Sequence, residues 1–142
     1  MKVEQILQTK GAAVHSVRDD ASVADAVKVL GEKNIGAVVV KDASGGVAGI
    51  LSERDIVRRL RAEGAEALNK PVSGCMTAEV ITCAPEDTID DLMVKMTERR
   101  IRHVPVMRDG ALAGIVSIGD VVKRKIEETE REAAALREYI SS

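Results

Sequence analysis

The chain has 142 residues, 21 basic and 23 acidic side chains and a net charge of −2, which fits one compact domain or two very small ones. It lacks the basic excess of a nucleic-acid-binding domain, an apolar run of the roughly 18 residues that span a membrane, and an apolar secretory signal in its first residues, MKVEQILQTKG. We therefore expect a cytoplasmic protein that binds neither nucleic acid nor a membrane.

The core is predicted to be aliphatic, because the chain contains no Phe, no Trp and a single Tyr, Tyr139. A planar ligand would then lie between aliphatic side chains, which argues against single-stranded nucleic acid, whose bases stack on aromatic rings. The two cysteines, Cys75 and Cys83, form no CxxC pair, and the two histidines are far apart in sequence. We predict two reduced thiols and no metal site.

The first predicted strand is short and apolar, from Val14 to Val17. The segment RDDASVADA follows it and combines a Ser with acidic residues, which is typical of a helix N-terminus. Apolar residues at helical spacing then predict the helix itself. The segment IGAVVV predicts a buried strand, KDASGG a hairpin turn and VAGIL a second strand. A last helix is predicted to begin at Ser52, so the order is strand, helix, strand, strand, helix.

The same order returns in the second half of the chain. VHSVRDDASVADAVKVLGEKNIGAVVV, from Val14, aligns without a gap on VITCAPEDTIDDLMVKMTERRIRHVPV, from Val80. GILSERDIVRRL in the first half then aligns on GIVSIGDVVKRK in the second. The second repeat is thus predicted to begin with a strand at Val80 to Cys83, and its last helix is predicted to begin at Ser117.

Two such repeats predict an α+β fold, because a single β-α-β-β-α unit is too small to bury its own sheet. We expect the two repeats to pack face to face around a pseudo-twofold axis and a long C-terminal helix to follow. Each repeat is preceded by a lead-in segment, VEQILQTKGAA (residues 3–13) before the first and the linker AEGAEALNKPVSGCMTA (residues 62–78) before the second. The predicted domains are 1–65, the first repeat with its N-terminal lead-in, and 66–142, the second repeat with the linker and the C-terminal helix.

The junction between second strand and last helix carries one pattern in both repeats: Gly, two apolar residues, Ser, two variable residues and Asp. Ser52 and Ser117 are predicted to cap their helices, where free N–H groups and the helix dipole favour an anion. Asp55 and Asp120 follow one turn later, where a carboxylate can accept hydrogen bonds from ribose hydroxyls, and the glycine leaves room for a close approach of backbone or ligand. The pattern also fits a capping box that only stabilises the helix.

The repeated sequence resembles tandem cystathionine-β-synthase (CBS) domains. The resemblance rests on VITC-PEDTIDDLMVKMTERRIRHVPVM-DG-LAGIVSIGDVV and its counterpart in the first half, and it covers about residues 1–126. Paired CBS domains bind AMP, ADP or ATP, and in some members NAD(H) or S-adenosylmethionine, in clefts between the two copies. The resemblance implies that Ser52 and Ser117 contact phosphate and that Asp55 and Asp120 hold ribose.

Further site residues follow from the same resemblance. The segments Val14–Ser16 and Val80–Thr82 would frame the adenine through backbone groups. A basic pair, Arg102 and His103, would begin a strand and reach the phosphate of the nucleotide whose ribose the first repeat holds. Arginine can fork onto a phosphate through two charge-assisted hydrogen bonds. Pro105 lacks an N–H group, so it fits an irregular strand position beside the ligand.

The two pockets are predicted to differ. At the positions of the basic pair, the first repeat has Gly36 and Ala37, and the polar residues nearby are Lys33 and Asn34. The pocket that contains the basic pair should prefer phosphorylated ligands. The pocket that contains Asp120 should bind more weakly or accept a less anionic end of a ligand.

The C-terminal segment carries apolar or small residues in alternating steps of four and three, namely Val122, Ile126, Thr129, Ala133, Leu136 and Ile140. This is a heptad seam, although it is shorter than the three to four heptads that identify a coiled coil. Two arrangements fit it: a long terminal helix that packs on its own domain, and a dimer contact. Because CBS pairs commonly form dimers, we expect a homodimer.

No nucleophile–base pair, P-loop or GxGxxG motif stands out, so we predict that the protein is not an enzyme. The favoured interpretation is a regulatory module that binds an adenine nucleotide and transmits the ligand state to a partner protein. Two alternatives stay open. One is a constitutive scaffold dimer with non-functional clefts, and the other is a sensor that binds S-adenosylmethionine or compares NADH with AMP.

Overall fold

The structure, a computed structural model, describes residues 1–141. The chain forms two compact units. Residues 13–81 make up the first-repeat unit, and residues 1–12 together with the chain from Thr82 onward make up the second-repeat unit. The α-helices and strands are α1 (Val3–Lys10), β1 (Ser16–Arg18), α2 (Val23–Lys33), β2 (Ala37–Lys41), β3 (Val47–Ser52), α3 (Glu53–Glu63), α4 (Ile89–Arg99), β4 (His103–Arg108), β5 (Ala111–Ser117) and α5 (Ile118–Ser141).

The first-repeat unit contains a three-stranded sheet in the order β1-β2-β3. β1 runs parallel to β2, and β3 runs antiparallel to it. The central strand β2 is apolar throughout its buried part, Ala37 to Val40, because a strand covered on both faces cannot alternate polar and apolar residues. Helix α2 begins at the capping box of Ser22 and Asp25. The core consists of Val23, Ala26, Leu30, Val38, Val40, Leu51, Ile56 and Val72.

The second-repeat unit contains the antiparallel hairpin of β4 and β5. The strand predicted at Val80 to Cys83 is reduced to one parallel bridge between Cys83 and Val106. The chain leaves the sheet directly after Cys83, since the Ala84 N–H donates to the Asp87 carboxylate over 2.8 Å and starts a turn. The core consists of Val3, Ile6, Leu7, Cys83, Ile89, Leu92, Met96, Val104, Val106, Val116 and Val121. The predicted α+β fold with a long C-terminal helix is confirmed.

Each repeat is completed by the segment that precedes the other repeat. Helix α1 buries Val3 and Ile6 in the core of the second-repeat unit, and Val72 from the linker is fully buried in the first-repeat unit. The predicted domains, 1–65 and 66–142, instead keep each lead-in with the repeat that follows it. The compact units divide the chain differently because the apolar side chains of each lead-in are buried against the other repeat's sheet and helices.

The glycine of the repeated pattern makes this packing possible. A Cβ atom on Gly49 would lie 2.6 Å from the Thr77 carbonyl oxygen and 2.7 Å from the Met76 sulfur, and one on Gly114 would lie 2.6 Å from Leu7 Cδ2. These distances are shorter than van der Waals contact, so a side chain does not fit without movement. The close approach predicted at these glycines is therefore made by the lead-in segments.

Candidate nucleotide-binding site

Ser52 and Asp55 form a reciprocal capping box at the start of α3. The Asp55 N–H donates to Ser52 Oγ over 3.2 Å, and the Ser52 N–H and hydroxyl donate to Asp55 Oδ2 over 2.9 and 3.0 Å. The capping box that the sequence pattern allows is therefore formed in the structure. It does not exclude a ligand, because a carboxylate offers about four acceptor positions on its two oxygens.

Thr77 is a neighbour of this carboxylate that the repeated Gly–Ser–Asp pattern does not include. Its hydroxyl lies 3.4 Å from Asp55 Oδ1, and its backbone pairs with Ile50 through two hydrogen bonds of 2.8 and 3.0 Å. The linker therefore extends the edge of β3 and places an exposed hydroxyl beside Asp55. The sequence feature that could have pointed to Thr77 is the repeat alignment, which places the linker before Val80 opposite the lead-in before Val14.

Ser117 and Asp120 repeat the same geometry at the start of α5. The Asp120 N–H donates to Ser117 Oγ over 3.2 Å, and the Ser117 N–H donates to Asp120 Oδ2 over 2.9 Å. This site also contains a cation, since Lys10 Nζ lies 2.6 Å from Asp120 Oδ2 and 3.0 Å from the Ile115 carbonyl oxygen. Burial alone would raise the pKa of Asp120, but the hydrogen bonds from Lys10 and Ser117 outweigh it and lower that pKa.

The helix starts already use part of their N–H groups within the chain. The Glu53 N–H donates to the Gly36 carbonyl over 3.0 Å, and the Ile118 N–H donates to the Arg102 carbonyl over 2.7 Å. A further N–H of each first turn is bound by the serine hydroxyl of the capping box. The helix start is thus a smaller anion site than the sequence predicts, and a phosphate there would depend more on side chains.

The remaining predicted residues of the first repeat lie at the edges of its sheet and helix. Val14 is half-buried and Ser16 is exposed at the start of β1, next to β2. Lys33 and Asn34 are exposed at the end of α2. Asn34 adopts a left-handed conformation with φ 53° and caps the helix, which is a common structural role for Asn.

In the second repeat, His103 and Pro105 belong to β4. His103 is half-buried and lies opposite Ser117 in the ladder, whereas the neighbouring Arg102 is exposed. Pro105 is buried, and its carbonyl accepts a hydrogen bond of 3.0 Å from the Cys83 N–H. The segment before this contact is more open, with Val80 half-buried and Thr82 exposed, and the carbonyl of Thr82 binds the Lys95 ammonium over 3.0 Å.

Both cysteines are free thiols. Burial, and to a smaller extent the negative charge of Asp87, raises the pKa of Cys83 to about 11. This thiol is therefore protonated at neutral pH. Burial also raises the pKa of the half-buried Cys75. Within residues 1–141, no group of His, Cys, Asp or Glu side chains is arranged to hold a metal ion. None of the helices described there is both long and apolar enough to cross a membrane.

Comparison with known proteins assigns both repeats to one family. The CBS-domain family matches residues 3–62 and 72–127. A CBS-domain protein of known structure from Agrobacterium tumefaciens is 48% identical, with a TM-score of 0.86 over 87% of this chain and 92% of its own. The mitochondrial CBS domain-containing protein CBSX3 of Arabidopsis thaliana is 36% identical over 97% of this chain and 71% of its own.

A third similar protein has been solved with ligands. The CBS domain pair of protein MJ0100, in complex with 5′-methylthioadenosine and S-adenosyl-L-methionine, is 26% identical with a TM-score of 0.79, over 90% of this chain and 98% of its own. CBS-domain pairs are regulatory modules. With both of its repeats matched and a solved relative 48% identical, the chain belongs to the CBS-domain family as a tandem pair.

Proposed function

We propose that the protein is a regulatory module that binds an adenine nucleotide and transmits the ligand state to a partner protein. Two sites are proposed, one built on Ser52 and Asp55 and the other on Ser117 and Asp120. The observation that supports this most is the carboxylate held one turn into a helix in both repeats. The related MJ0100 pair, solved with two adenosine-containing ligands, supports the same ligand class.

The carboxylates suit the ribose part of such a ligand. In each repeat a backbone N–H holds one oxygen, Oδ2 of Asp55 or of Asp120, over 2.9 Å. A carboxylate fixed in this way is pre-organised to accept hydrogen bonds from hydroxyl groups at its remaining acceptor positions. The capping box then supports ligand binding by fixing the orientation of the carboxylate, which is why we propose both roles for the same residue.

The other groups of the ligand are assigned by the same proposal. Arg102 and His103 are the proposed phosphate contacts, with Pro105 beside them. The backbone of Val14–Ser16 and of Val80–Thr82 is proposed to frame the adenine. The pocket that contains Asp120 takes its other polar contacts from Lys33 and Asn34. AMP, ADP, ATP and NADH share the adenosine part, so the phosphate contacts decide among them.

The two sites are proposed to differ in affinity because the carboxylate of Asp120 forms an ion pair with Lys10. Lys10 Nζ lies 2.6 Å from Asp120 Oδ2, so the ammonium group offsets part of the negative charge that would attract a ribose hydroxyl to this carboxylate. Asp55 has the neutral hydroxyl of Thr77 at 3.4 Å instead. We therefore expect the site of Asp55 to bind adenosine ligands more tightly than the site of Asp120.

The same ion pair favours a second candidate function, the scaffold with non-functional clefts, because it satisfies Asp120 without a ligand. Thermal unfolding with AMP, ATP, NADH, S-adenosylmethionine and 5′-methylthioadenosine separates the two functions. A ligand at about 100 times its dissociation constant stabilises the folded protein by about 2.7 kcal/mol. A shift with at least one compound supports the regulatory module and identifies its ligand, whereas no shift with any of them supports the scaffold.

A further inference from the structure

The seam of α5 is exposed except at Ala133, which is half-buried. The exposed fractions are 43% for Val122, 53% for Ile126, 60% for Leu136 and 74% for Ile140. Val121 is the one buried residue of this helix among those described. Because successive residues of an α-helix are turned by about 100°, the seam lies on a different side of the helix from Val121. A second helix can therefore cover the seam without displacing the core.

The distal half of α5 has little support from the rest of the chain. From Thr129 to Ser141 every side chain is exposed except that of Ala133, which is half-buried. This half of the helix therefore lacks the tertiary packing of an apolar face from which most helical stability in proteins comes. A partner along the seam would supply the missing apolar contacts.

The charges that flank the seam select the partner. In the heptad of this helix, Ile126, Ala133 and Ile140 occupy the a positions, and Val122, Thr129 and Leu136 occupy the d positions. The flanking e positions are Lys123, Glu130 and Arg137, and the flanking g positions are Lys125, Glu132 and Tyr139. Salt bridges between e and g positions determine partner choice and orientation in two-stranded coiled coils.

Two copies of α5 are complementary when they run parallel. In that orientation each g position lies beside the following e position of the other helix. Lys125 then meets Glu130 of the second copy, and Glu132 meets Arg137 of the second copy. Twofold symmetry repeats both pairs, so four attractive pairs flank the seam.

The antiparallel orientation brings like charges together. There, e positions face e positions and g positions face g positions. With the seam fully overlapped, Lys123 faces Arg137 of the second copy, while Glu130 and Glu132 each face their own counterparts. We propose that α5 forms a parallel two-stranded coiled coil with α5 of a second copy of this chain, through the seam from Val122 to Ile140.

The pair of Glu132 and Arg137 is the sharper test of this interface. Lys125 Nζ already lies 3.0 Å from Asp90 Oδ1 and 3.9 Å from Glu128 Oε1 within its own chain, so its contribution to a dimer is reduced by competition. Thr129 and Ala133 also make the seam only moderately apolar. We therefore expect a dimer that dissociates at low concentration, which allows its dissociation constant to be measured.

The first experiment is sedimentation velocity of the full chain without nucleotide, over a range of concentrations. The wild-type protein should show a monomer–dimer equilibrium, and Leu136→Glu should shift it to monomer. Ala134→Glu is the matched control, because it places the same charge on the same helix outside the seam and should leave the dissociation constant unchanged. A monomer at every concentration, or a dimer that Leu136→Glu leaves intact, would overturn the proposal.

The second experiment determines the orientation. Arg137→Glu places two acidic pairs in the parallel dimer and should raise its dissociation constant about tenfold. The exchange Glu132→Arg with Arg137→Glu should restore the wild-type value. In an antiparallel dimer, Arg137→Glu would instead face Lys123 and strengthen association, and that result would overturn the parallel arrangement. Both experiments omit nucleotide, so their outcome is independent of the proposed nucleotide sites.

Discussion

Asp55 and Asp120 occupy equivalent positions in the two repeats, but their immediate neighbours differ. Each carboxylate is held by the N–H of a serine over 2.9 Å. Asp120 is paired with the Lys10 ammonium, whereas Asp55 contacts the hydroxyl of Thr77. Because the neighbours come from the lead-in segments, small sequence differences there change the charge of one site and leave the capping geometry of both intact.

Removing the cation should change ligand affinity at one site. Lys10→Met introduces the residue type that the linker carries at the aligned position, Met76. We expect tighter binding of uncharged 5′-methylthioadenosine at the site of Asp120, because the charge of its carboxylate is no longer offset by an ammonium group. Titration calorimetry measures this, with Lys2→Met as the control at an exposed lysine. Weaker binding by the Lys10 variant would show that Lys10 contributes to the site.

The ion pair of Lys10 and Asp120 also predicts that the free energy of unfolding depends on pH at acidic pH. The pKa of Asp120 is lowered in the folded protein from a usual value of 3.8, so its stabilising contribution is complete above that value and is lost as the pH falls through the lower folded pKa. At neutral pH, Asp120→Asn should lower the free energy of unfolding by about 1 kcal/mol or less.

The test is urea unfolding of both proteins between neutral pH and about pH 3, where the difference between them should shrink as the pH falls below 3.8. Asp109→Asn, in the exposed turn between β4 and β5, is the control. Asn tolerates the left-handed conformation of that residue, φ 52°. A difference that stays constant with pH would contradict the assignment of the effect to Asp120.

Cys83 is predicted to be unreactive in the folded protein. Its thiol is buried and its pKa is about 11, so very little thiolate is present near neutral pH. In a Cys75→Ser variant, a thiol reagent should modify Cys83 only after denaturation. The Cys83→Ala variant, which keeps the half-buried Cys75, should react faster under native conditions. Equal rates for native and denatured Cys83 would contradict its burial.

At the scale of the elements, the fit between each β-hairpin and a lead-in segment depends on a glycine. Gly49 lies under the carbonyl of Thr77 and the side chain of Met76, and Gly114 lies under Leu7. The sequence predicts a close approach at both positions, because glycine has no side chain. It could not identify what approaches, because the lead-ins were assigned to the repeats that follow them.

Gly49→Ala should therefore destabilise the protein by about 1–3 kcal/mol, since the added methyl group meets a backbone carbonyl that cannot easily move. Gly31→Ala is the matched control. Gly31 lies inside α2 and has no atom within 4 Å of its added Cβ, so alanine should stabilise the helix by about 0.5–1 kcal/mol. Chemical denaturation measures both changes, and a neutral Gly49→Ala would show that the linker does not pack as described.

At the scale of the whole molecule, the repeat was the most informative feature of the sequence. It predicted the helices, the two hairpins and both capping positions, because these depend on local spacing of apolar residues and on helix-start chemistry. The strand at Val80 to Cys83 was wrong in extent, since only Cys83 is bridged to β4 and the carbonyl of Thr82 binds the Lys95 ammonium. The units to which α1 and the linker belong also differ from the predicted domains, because long-range packing leaves no local pattern.

The candidate site was predictable in part. The pattern identified Ser52, Asp55 and their counterparts, which the structure places at helix starts. It could not reveal Lys10 or Thr77, which reach the carboxylates through the packing of segments distant in sequence.

The central claim is that each repeat holds an adenosine ligand on its helix-start aspartate, and titration calorimetry with the ligand identified by thermal unfolding tests it most directly. The wild-type protein should show two sites of unequal affinity. Asp55→Ala should remove the tighter site and Asp120→Ala the weaker one, each with its fold checked by circular dichroism. Binding that both variants retain at wild-type strength would contradict the claim.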